Sequence, residues 1–233
     1  REDCGADALC IGVKCGGSDG MSGLTSNPLV GHVTEQVVAH GGRAVLTEIP
    51  EAFGAEDVLL QRAATREVFD ATAAIFNDFR RYFTAHGEPL HENPSPGNIA
   101  GGITTLEEKS LGAVQKGGQA PVTAALRYGE RVSIPGLAVL EAPGNDAVSS
   151  TALAAAGANV ILFTTGRGTP LGFPVPTLKI ASNAELARRK PAWIDFDASV
   201  VLGADGFDAA AANLRALVCA TASGQPARNE ING

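Results

Sequence analysis

Positive charge and long apolar runs are both scarce in this sequence of 233 residues. Its 18 Lys and Arg are outnumbered by 25 Asp and Glu, so no general basic surface is available to neutralise nucleic-acid phosphates. Apolar runs such as residues 136–140 stop far short of the roughly 20 residues that cross a bilayer. The sequence therefore predicts neither a nucleic-acid-binding protein nor a membrane protein.

Cysteine is limited to four residues, too few for a disulfide scaffold in a chain of this length. No charged and then apolar leader opens the sequence, and we therefore predict a protein of the reducing cytoplasm. The chain starts with Arg1 rather than Met and its first residues are polar, which suggests a piece of a longer protein. A hydrophobic fraction of 45% favours a buried core. We expect residues 1–233 to form a single α/β domain with a tail at 224–233.

The first fifty residues have the pattern of a strand, a helix and a second strand. An apolar run at 8–13 leads into the glycine-rich turn Cys-Gly-Gly-Ser-Asp-Gly at 15–20. A helical pattern follows Pro28, with Asn27 as its expected N-cap, and a second strand is predicted at 43–49. This order is typical of a βαβ unit and of a parallel sheet.

The remaining pattern alternates helices and strands. A long helix at 56–86 contains an expected break near 64–66, and Thr105 with Glu108 has the form of a capping box that opens another helix. The further predicted strands are 121–127, 137–140, 160–164 and 177–180, and the further helices are 147–156 and 206–222. The predicted fold class is α/β, a mostly parallel open sheet with helices on both faces, as in a Rossmann-like three-layer sandwich.

Polar, glycine-marked segments follow strands or occupy loops at 15–20, 48–51, 93–102 and 164–170. In open parallel sheets, ligands bind in the crevice beyond the carboxyl ends of the strands. Three of these segments should lie there if the predicted strands are right. Their convergence is the main indication of a site from the residues themselves.

The turn at 15–20 offers Cys15 as a soft metal ligand or nucleophile, together with the Ser18 hydroxyl and the Asp19 carboxylate. A tight turn beside a buried cysteine explains the same residues equally well. After the second strand, Glu48 and Glu51 are carboxylates that could bind a cation or remove a proton. We favour Glu48, because it lies nearer the strand end, and expect Glu51 to cap a helix or face solvent.

Arg167 is the most specific candidate, since glycines on both sides leave its planar guanidinium free to approach a substrate carboxylate. Thr165 precedes it in the same segment. Asn93 and Asn98 lie in a proline-restricted loop that could hold sugar hydroxyls or act only as a stiff connection. Lys109 belongs to a charged helical run, typical of a solvated face, but would become a candidate base if it were buried.

The four histidines, which include His91 beside the Asn-Pro loop, have no metal-ligand spacing, and His91 alone is kept as a candidate. The remaining cysteines form no Cys-x-x-Cys pair, so a closed structural zinc site is not expected.

Several blocks of the sequence together resemble the altronate dehydratase/galactarate dehydratase family. They are KCGGSDGMSGLTSNPLVG, LTEIPEAFGAE, ENPSPGNIAGGITTLEEKSLG, APGNDAVSSTALAAAGA and FTTGRGTPLGFPVPTLKIASN, and they occur in this order along nearly the whole chain. LTEIPEAFGAE, LRYGERVSIPGL and PAWIDFDA are closer to the altronate members. The family also includes the large subunits of sulfolactate sulfo-lyases.

The resemblance implies the carboxyl-terminal catalytic region of a hydro-lyase that converts a sugar acid, altronate, into a 2-keto-3-deoxy acid. It also implies divalent iron, Fe(2+), as the metal, amino-terminal domains of the same chain as partners, and a homo-oligomer as an option. The family blocks contain the candidates named above: Cys15, Ser18, Asp19, Glu48, Asn93, Asn98, Lys109, Thr165 and Arg167.

We assign hypothetical roles to these residues from the chemistry of dehydration, which removes the proton beside a carboxylate and expels the neighbouring hydroxyl. Arg167 would hold the carboxylate, and Cys15 or Asp19 would bind or orient the metal. Glu48 or Lys109 would act as base or acid. Asn93 and Asn98 would hold the sugar hydroxyls, and Ser18 and Thr165 would be further substrate-binding residues.

Three alternatives stay open from the sequence. One is C–S cleavage of sulfolactate on the same frame, which shares the proton abstraction. Another is a non-catalytic binding or assembly module. The third is a nucleotide-binding fold with 15–20 as a phosphate cradle, which the sequence disfavours because it has no Gly-Lys-Ser/Thr.

Overall fold

The computed structural model describes residues 4–90, 93–204 and 206–232. One parallel sheet of seven strands forms its centre, in the order β3-β4-β2-β1-β5-β6-β7. The strands are β1 (Cys10–Cys15), β2 (Arg43–Leu46), β3 (Val122–Leu126), β4 (Gly136–Leu140), β5 (Val160–Thr165), β6 (Thr177–Ala181) and β7 (Phe196–Asp197). The predicted α/β class and the parallel sheet are confirmed.

Helices cover both faces of this sheet. They are α1 (Ser26–Ala39), α2 (Glu56–Leu60), α3 (Arg66–Ala85), α4 (Pro96–Ala100), α5 (Leu106–Val114), α6 (Asp146–Ala155), α7 (Ala184–Arg189), α8 (Gly206–Ala222) and α9 (Arg228–Ile231). Short 3₁₀ turns occupy Ala6–Ala8, Ile49–Ala52, Gln115–Gly117 and Ala198–Leu202. None of the helices in the described part of the chain is long and apolar enough to cross a membrane.

Alternate residues of each central strand enter two separate cores, because successive side chains of a strand point to opposite faces. Leu162 of β5 packs in the core that contains Leu214 of α8, whereas the adjacent Phe163 packs in the core that contains Leu153 of α6. The continuous apolar runs of the strands follow from this arrangement, since a parallel sheet is buried on both sides.

The order in which strands are added to the sheet changes direction between β1 and β5. The strand that follows β1, β2, pairs with one edge of it, and β5 pairs with the other edge. The carboxyl ends of β1 and β5 therefore form the topological switch point where open α/β sheets bind their ligands. The glycine-rich turn after β1 and the Arg167 segment after β5 both begin there.

A close helix crossing lies beneath this edge of the sheet. A β-carbon at Gly31 of α1 would overlap the carbonyl oxygen of Gln115 and lie 3.0 Å from the Gly118 Cα. The absence of a side chain lets α1 contact the Gln115–Gly117 turn directly. Thr34 of α1 donates a hydrogen bond of 2.9 Å to the carbonyl oxygen of Lys116 and so joins the two elements.

Two buried lysines lie on either side of Phe163 in register across the sheet. Lys14 pairs with Phe163, and Phe163 pairs with Lys179. The Lys179 Nζ donates a hydrogen bond of 2.5 Å to the carbonyl oxygen of Leu171, in the loop that follows Arg167. Burial lowers the pKa of Lys179 to about 8.

Several local predictions are confirmed and others need correction. The break between α2 and α3 and the helices over 147–156 and 206–222 are present. Of the predicted capping box, Thr105 is the N-cap and accepts from the Glu108 nitrogen at 3.1 Å, but the Glu108 carboxylate accepts from Thr104 instead of the Thr105 nitrogen. The Asn27 N-cap was wrong: α1 begins two residues earlier, with Thr25 as N-cap, and the Asn27 amide donates to the carbonyl oxygen of Gly112.

The boundaries of the first two strands also shift. The first strand extends to Cys15, two residues beyond the predicted end, and β2 ends at Leu46 because Ile49 enters a 3₁₀ turn. The segment predicted as a tail contains α9, whose Arg228 nitrogen donates to the Asp195 carboxylate at 2.7 Å.

Candidate active site

A polar cavity of about 340 Å³ lies at the carboxyl ends of β1, β2, β4 and β5. It lies at the switch point, and its volume is within the range of small-molecule sites. Its walls come from residues 15–18 and 144–146, from four residues of the 93–98 loop, and from Glu51, Lys109 and Arg167. These are mostly the segments that the sequence singled out.

Lys109 and Glu51 form the ion pair on one wall of the cavity. The Lys109 Nζ, on α5, lies 2.6 Å from Oε2 of Glu51, which belongs to the 3₁₀ turn after β2. The same ammonium donates to Oδ1 of Asn93 at 2.7 Å and to Oδ1 of Asn98 at 2.9 Å. The ammonium therefore has three oxygen contacts, one ionic and two hydrogen-bonded, and the side chain is held in one position.

Asn98 lines the cavity, but its side chain mainly holds the surrounding segments together. Its Oδ1 accepts hydrogen bonds from the backbone nitrogen and hydroxyl of Ser95, and its Nδ2 donates to the carbonyl oxygen of Ser18 at 2.8 Å. The amide thus joins α4, the turn after β1 and Lys109. We expect Asn98 to position neighbouring groups, while the partly exposed Asn93 remains nearer the role predicted for it.

Arg167 lies on the opposite side of β1 from the Lys109–Glu51 pair. The Thr165 hydroxyl oxygen accepts hydrogen bonds from the nitrogens of Arg167, at 3.3 Å, and Gly168, at 2.8 Å, which shapes the turn after β5. The Arg167 side chain passes over Gly17 and reaches Gly97, where any β-carbon would overlap its Nη1. Within the described residues, the exposed guanidinium has no ion pair.

Glu48 is fully buried beneath the cavity and does not line it. Its backbone is left-handed, with φ of 69°, and this turns the carboxylate inward under β1. Oε2 accepts a hydrogen bond of 2.7 Å from the Cys15 nitrogen, Oε1 lies 3.0 Å from Lys14 Nζ, and Lys116 Nζ is 3.5 Å from Oε2. Burial raises the pKa of Glu48, but Lys14 and Lys116 outweigh burial, so its pKa lies below the usual range.

Asp146 brings a second carboxylate to the cavity, at the first turn of α6. Its Oδ1 lies 2.7 Å from the Nζ of Lys14, which also donates to the Ser149 hydroxyl at 2.9 Å. Burial lowers the pKa of Lys14, but the carboxylates of Glu48 and Asp146 outweigh burial and raise it. Lys14 is therefore held as an ammonium, and through it the buried Glu48 fixes the position of Asp146.

Cys15 and Asp19, the predicted metal ligands, are not joined by further ligands into a metal site among the residues that the structure describes. Cys15 lines the cavity, and its pKa is raised by burial and then by Glu48, which disfavours the thiolate that binds metals. Asp19 lines other cavities, and its oxygens accept hydrogen bonds from Ser22, Ser182 and Asn183. In the described ranges, no three His, Cys, Asp or Glu side chains group together. The residues of ranges 4–90, 93–204 and 206–232 therefore do not by themselves fit a complete iron site.

The structure brings together most of the predicted site residues around one cavity. Those that line it are Cys15, Ser18, Asn93, Asn98, Lys109 and Arg167. Glu48 and Thr165 lie behind its surface, and Asp19 lies outside it. His91 is outside the described residues.

Sequence reasoning undervalued Glu51 and missed Asp146. Glu51 was placed second because it is further from the strand end, yet the turn through Pro50 carries it to the cavity. The signal for Asp146 was the pair Asn145-Asp146 at the start of the helix that follows β4, which places a carboxylate at the same sheet edge.

Comparisons with known proteins agree with this architecture. The D-galactarate/altronate dehydratase, C-terminal family matches residues 6–233. Altronate dehydratase of Bacillus subtilis is 58% identical over 201 residues, 86% of this chain and 40% of that protein. Altronate dehydratase of Escherichia coli is 55% identical over 202 residues, 87% of this chain and 41% of that protein.

Galactarate dehydratase (L-threo-forming) of Escherichia coli is 38% identical over 196 residues, 84% of this chain and 37% of that protein. The chain thus spans about two fifths of the length of these relatives. Because the family match extends over almost the whole sequence, the chain belongs to the D-galactarate/altronate dehydratase, C-terminal family.

Proposed function

We propose that this chain is the carboxyl-terminal catalytic region of a longer cytoplasmic hydro-lyase that dehydrates altronate to a 2-keto-3-deoxy acid. The similarity to two altronate dehydratases, at 58% and 55% identity, supports this substrate over galactarate. Amino-terminal domains of the same polypeptide are the proposed partners, since the relatives are more than twice as long as the matched region.

The observation that carries the proposal is that one cavity contains both an anion-binding group and a pair of groups that can transfer protons. On one side, Arg167 presents a guanidinium that no acidic residue of the described chain neutralises. On the other side, Lys109 and Glu51 lie 2.6 Å apart and offer a proton donor and a proton acceptor. A 2,3-dihydroxy acid needs both: a cation at its carboxylate, and proton transfer at the two adjacent carbons.

Arg167 binds the substrate carboxylate with two parallel hydrogen bonds and stabilises the negative charge that develops there when the C2 proton leaves. Glu51 accepts this C2 proton. The C3–O bond then breaks, and Lys109 donates a proton to the departing hydroxyl, which leaves as water. The resulting enol becomes the 2-keto-3-deoxy acid when C3 gains a proton and the enol hydroxyl loses one. The proton on Glu51 returns to Lys109 across their contact, and both groups are restored.

The divalent metal, Fe(2+), stays a prediction, and no step above depends on it. Cys15 is the one predicted ligand on the cavity surface, so a metal held there would need further ligands from outside the described residues. Such a metal would supply Lewis-acid assistance to the leaving hydroxyl.

The test is release of 2-keto acid by the full-length protein that carries this chain. The panel contains altronate, other aldonic acids, galactarate and sulfolactate, each with and without Fe(2+) added anaerobically. We expect turnover of altronate above all other acids. Sulfite release from sulfolactate without keto-acid release from altronate would contradict the proposal, as would a lack of turnover in every arm.

A further inference from the structure

The glycine-rich turn after β1 contains hydrogen-bond donors that the mechanism above does not use. Gly16, Gly17 and Ser18 all line the cavity, and Ser18 is only 5% exposed. Within the portion of the chain that the structure describes, neither the backbone nitrogens of Gly17 and Ser18 nor the Ser18 hydroxyl have a hydrogen-bond partner. Because buried polar groups in proteins nearly always have a partner, unpaired donors at a cavity wall indicate a bound acceptor.

The backbone of this turn leaves its N–H side open. Gly17 is left-handed, with φ of 64°, and successive N–H groups in such turns form a concave surface that binds anions. The Gly17 carbonyl oxygen accepts a hydrogen bond of 3.0 Å from the Gly166 nitrogen. Since the carbonyl and the N–H of one trans peptide point in opposite directions, the Ser18 N–H points away from Gly166. The carbonyl side is thus fixed to the segment after β5, and the N–H side is left for a ligand.

Arg167 borders the same part of the cavity as Ser18. Its side chain passes over Gly17, and its Nη1 occupies the space in which a β-carbon of Gly97 would lie. The residue after Gly97, Asn98, donates a hydrogen bond of 2.8 Å from Nδ2 to the Ser18 carbonyl oxygen. An anion held by the guanidinium is therefore within reach of the donors of the turn.

We propose that Gly17 and Ser18 form an oxyanion hole, in which both N–H groups and the Ser18 hydroxyl bind a carboxylate oxygen of the sugar acid. This inference rests on the proposed function and makes Ser18 a further catalytic residue. When the C2 proton leaves to Glu51, the electron pair of the C2–H bond moves onto the carboxylate, which then carries two negative charges. Arg167 supplies one positive charge, and the donors of the turn stabilise the charge that is added in the transition state.

The turn is held in place on both sides of these donors. Before them, the Gly16 nitrogen donates a hydrogen bond of 3.0 Å to the carbonyl oxygen of Thr164. After them, the Asp19 nitrogen donates to the Ser22 hydroxyl, also at 3.0 Å. The donors therefore have their positions before the substrate binds, and little reorganisation opposes the development of charge.

The first experiment compares keto-acid release from altronate by the full-length wild-type protein and by Ser18→Ala. Alanine removes the hydroxyl and keeps both N–H groups, so we expect kcat/KM to fall about 10- to 100-fold with an unchanged melting temperature. Ser133→Ala removes an exposed hydroxyl before β4, at the opposite edge of the sheet, and should have the kcat/KM of the wild type. Wild-type kcat/KM in Ser18→Ala would overturn the inference and leave the proposed function intact.

A second measurement needs no turnover. The probe is a 3-deoxyaldonate, which keeps the carboxylate and the 2-hydroxyl but has no leaving hydroxyl, and calorimetry measures its binding to the full-length protein. We expect the Kd to be several-fold higher in Ser18→Ala than in the wild type, because a hydrogen bond to a charged group is lost. An equal Kd in the two proteins, or no binding of the probe to the wild type, would overturn the inference.

The backbone donor is tested on the same complex by NMR of protein labelled with ¹⁵N at serine. The Ser18 amide signal is identified by its loss in Ser18→Ala, and its proton should shift downfield when the probe binds, since the N–H then donates to an anion. A Ser18 signal that does not move would overturn the inference. If the signal shifts and Ser18→Ala weakens binding but no sugar acid is dehydrated, the proposed function fails and the anion site stands.

Discussion

Lys14 and Glu48 form an ion pair of 3.0 Å with almost no access to solvent. Lys116 approaches the same carboxylate at 3.5 Å, so this buried glutamate pairs with two buried ammonium groups, one of which Asp146 also contacts. Glu48 thus has a structural role beneath the cavity, and the acid–base role predicted for it is better suited to Glu51, which lines the cavity. Removal of one partner of a buried pair is costly because it leaves the other charge uncompensated.

We therefore predict that Glu48→Gln lowers the free energy of unfolding by about 3 kcal/mol at neutral pH. Urea denaturation followed by circular dichroism measures the change. Glu107→Gln, on the exposed part of α5, should change stability by less than about 0.5 kcal/mol. A Glu48→Gln variant as stable as the wild type would show that the two lysines are not charged in the folded state.

The pH dependence of stability should also reflect Glu48. Its folded-state pKa is below the ordinary value of 4.5, so its contribution is complete above about pH 4.5 and is lost as pH falls through the folded pKa. We expect the difference in unfolding free energy between wild type and Glu48→Gln to shrink as the solution is acidified below this value. A difference that is constant from pH 7 to pH 3 would contradict the assignment.

Glu51→Gln should abolish most turnover while the fold persists. The amide can still accept a hydrogen bond from Lys109 but cannot accept the C2 proton, so we expect kcat to fall by about 10²- to 10⁴-fold with a much smaller change in KM. Steady-state keto-acid release measures both constants, and Glu107→Gln is the matched control. Wild-type kcat in Glu51→Gln would remove Glu51 from the mechanism.

Arg167→Ala should weaken substrate binding about 10- to 100-fold, the usual worth of a charge-assisted carboxylate contact. Added guanidinium ion should restore part of the lost activity.

A milder test is Gly97→Ala, whose β-carbon would displace the guanidinium tip, since Nη1 now occupies that space. We expect a raised KM without a lower melting temperature. Gly23→Ala is the control, because its β-carbon would only reach ordinary contact distance, 3.6 Å, from Gly112.

Lys179 should make stability rise with pH in the alkaline range. Its folded-state pKa of about 8 is below its ordinary value of 10.5, so between these values the unfolded chain binds more protons. The unfolding free energy of wild type relative to Lys179→Met should therefore increase from about pH 8 to about pH 10.5 and then level off. A flat difference over this interval would show that Lys179 keeps an ordinary pKa.

The parallel sheet was predictable because its strands are apolar on both faces and alternate with helical patterns. The convergence of the loops also followed from the sequence, since the carboxyl ends of parallel strands lie at one edge. Cys15 and Arg167 were placed at the same cavity on that basis.

What the sequence could not supply were contacts between distant segments. Lys14 ended the predicted strand because a charged residue rarely continues a buried one, and its partners Glu48 and Asp146 are 34 and 132 positions away in the chain. The order of Glu48 and Glu51 depended on a left-handed backbone at a non-glycine residue, which local propensity disfavours. β7, with two residues, is too short to leave a periodic signal.

The close crossing at Gly31 links the buried face of α1 to the base of the cavity. A methyl group there would collide with the Gln115 carbonyl and force the turn outward, and the same turn inserts Lys116 beneath Glu48. Gly31 does not line the cavity, yet it determines how closely the turn that carries Lys116 approaches Glu48. Natural sequences should accordingly tolerate little variation at this site, and laboratory evolution of new substrate preferences should find compensating changes in α1 as well as in the loops.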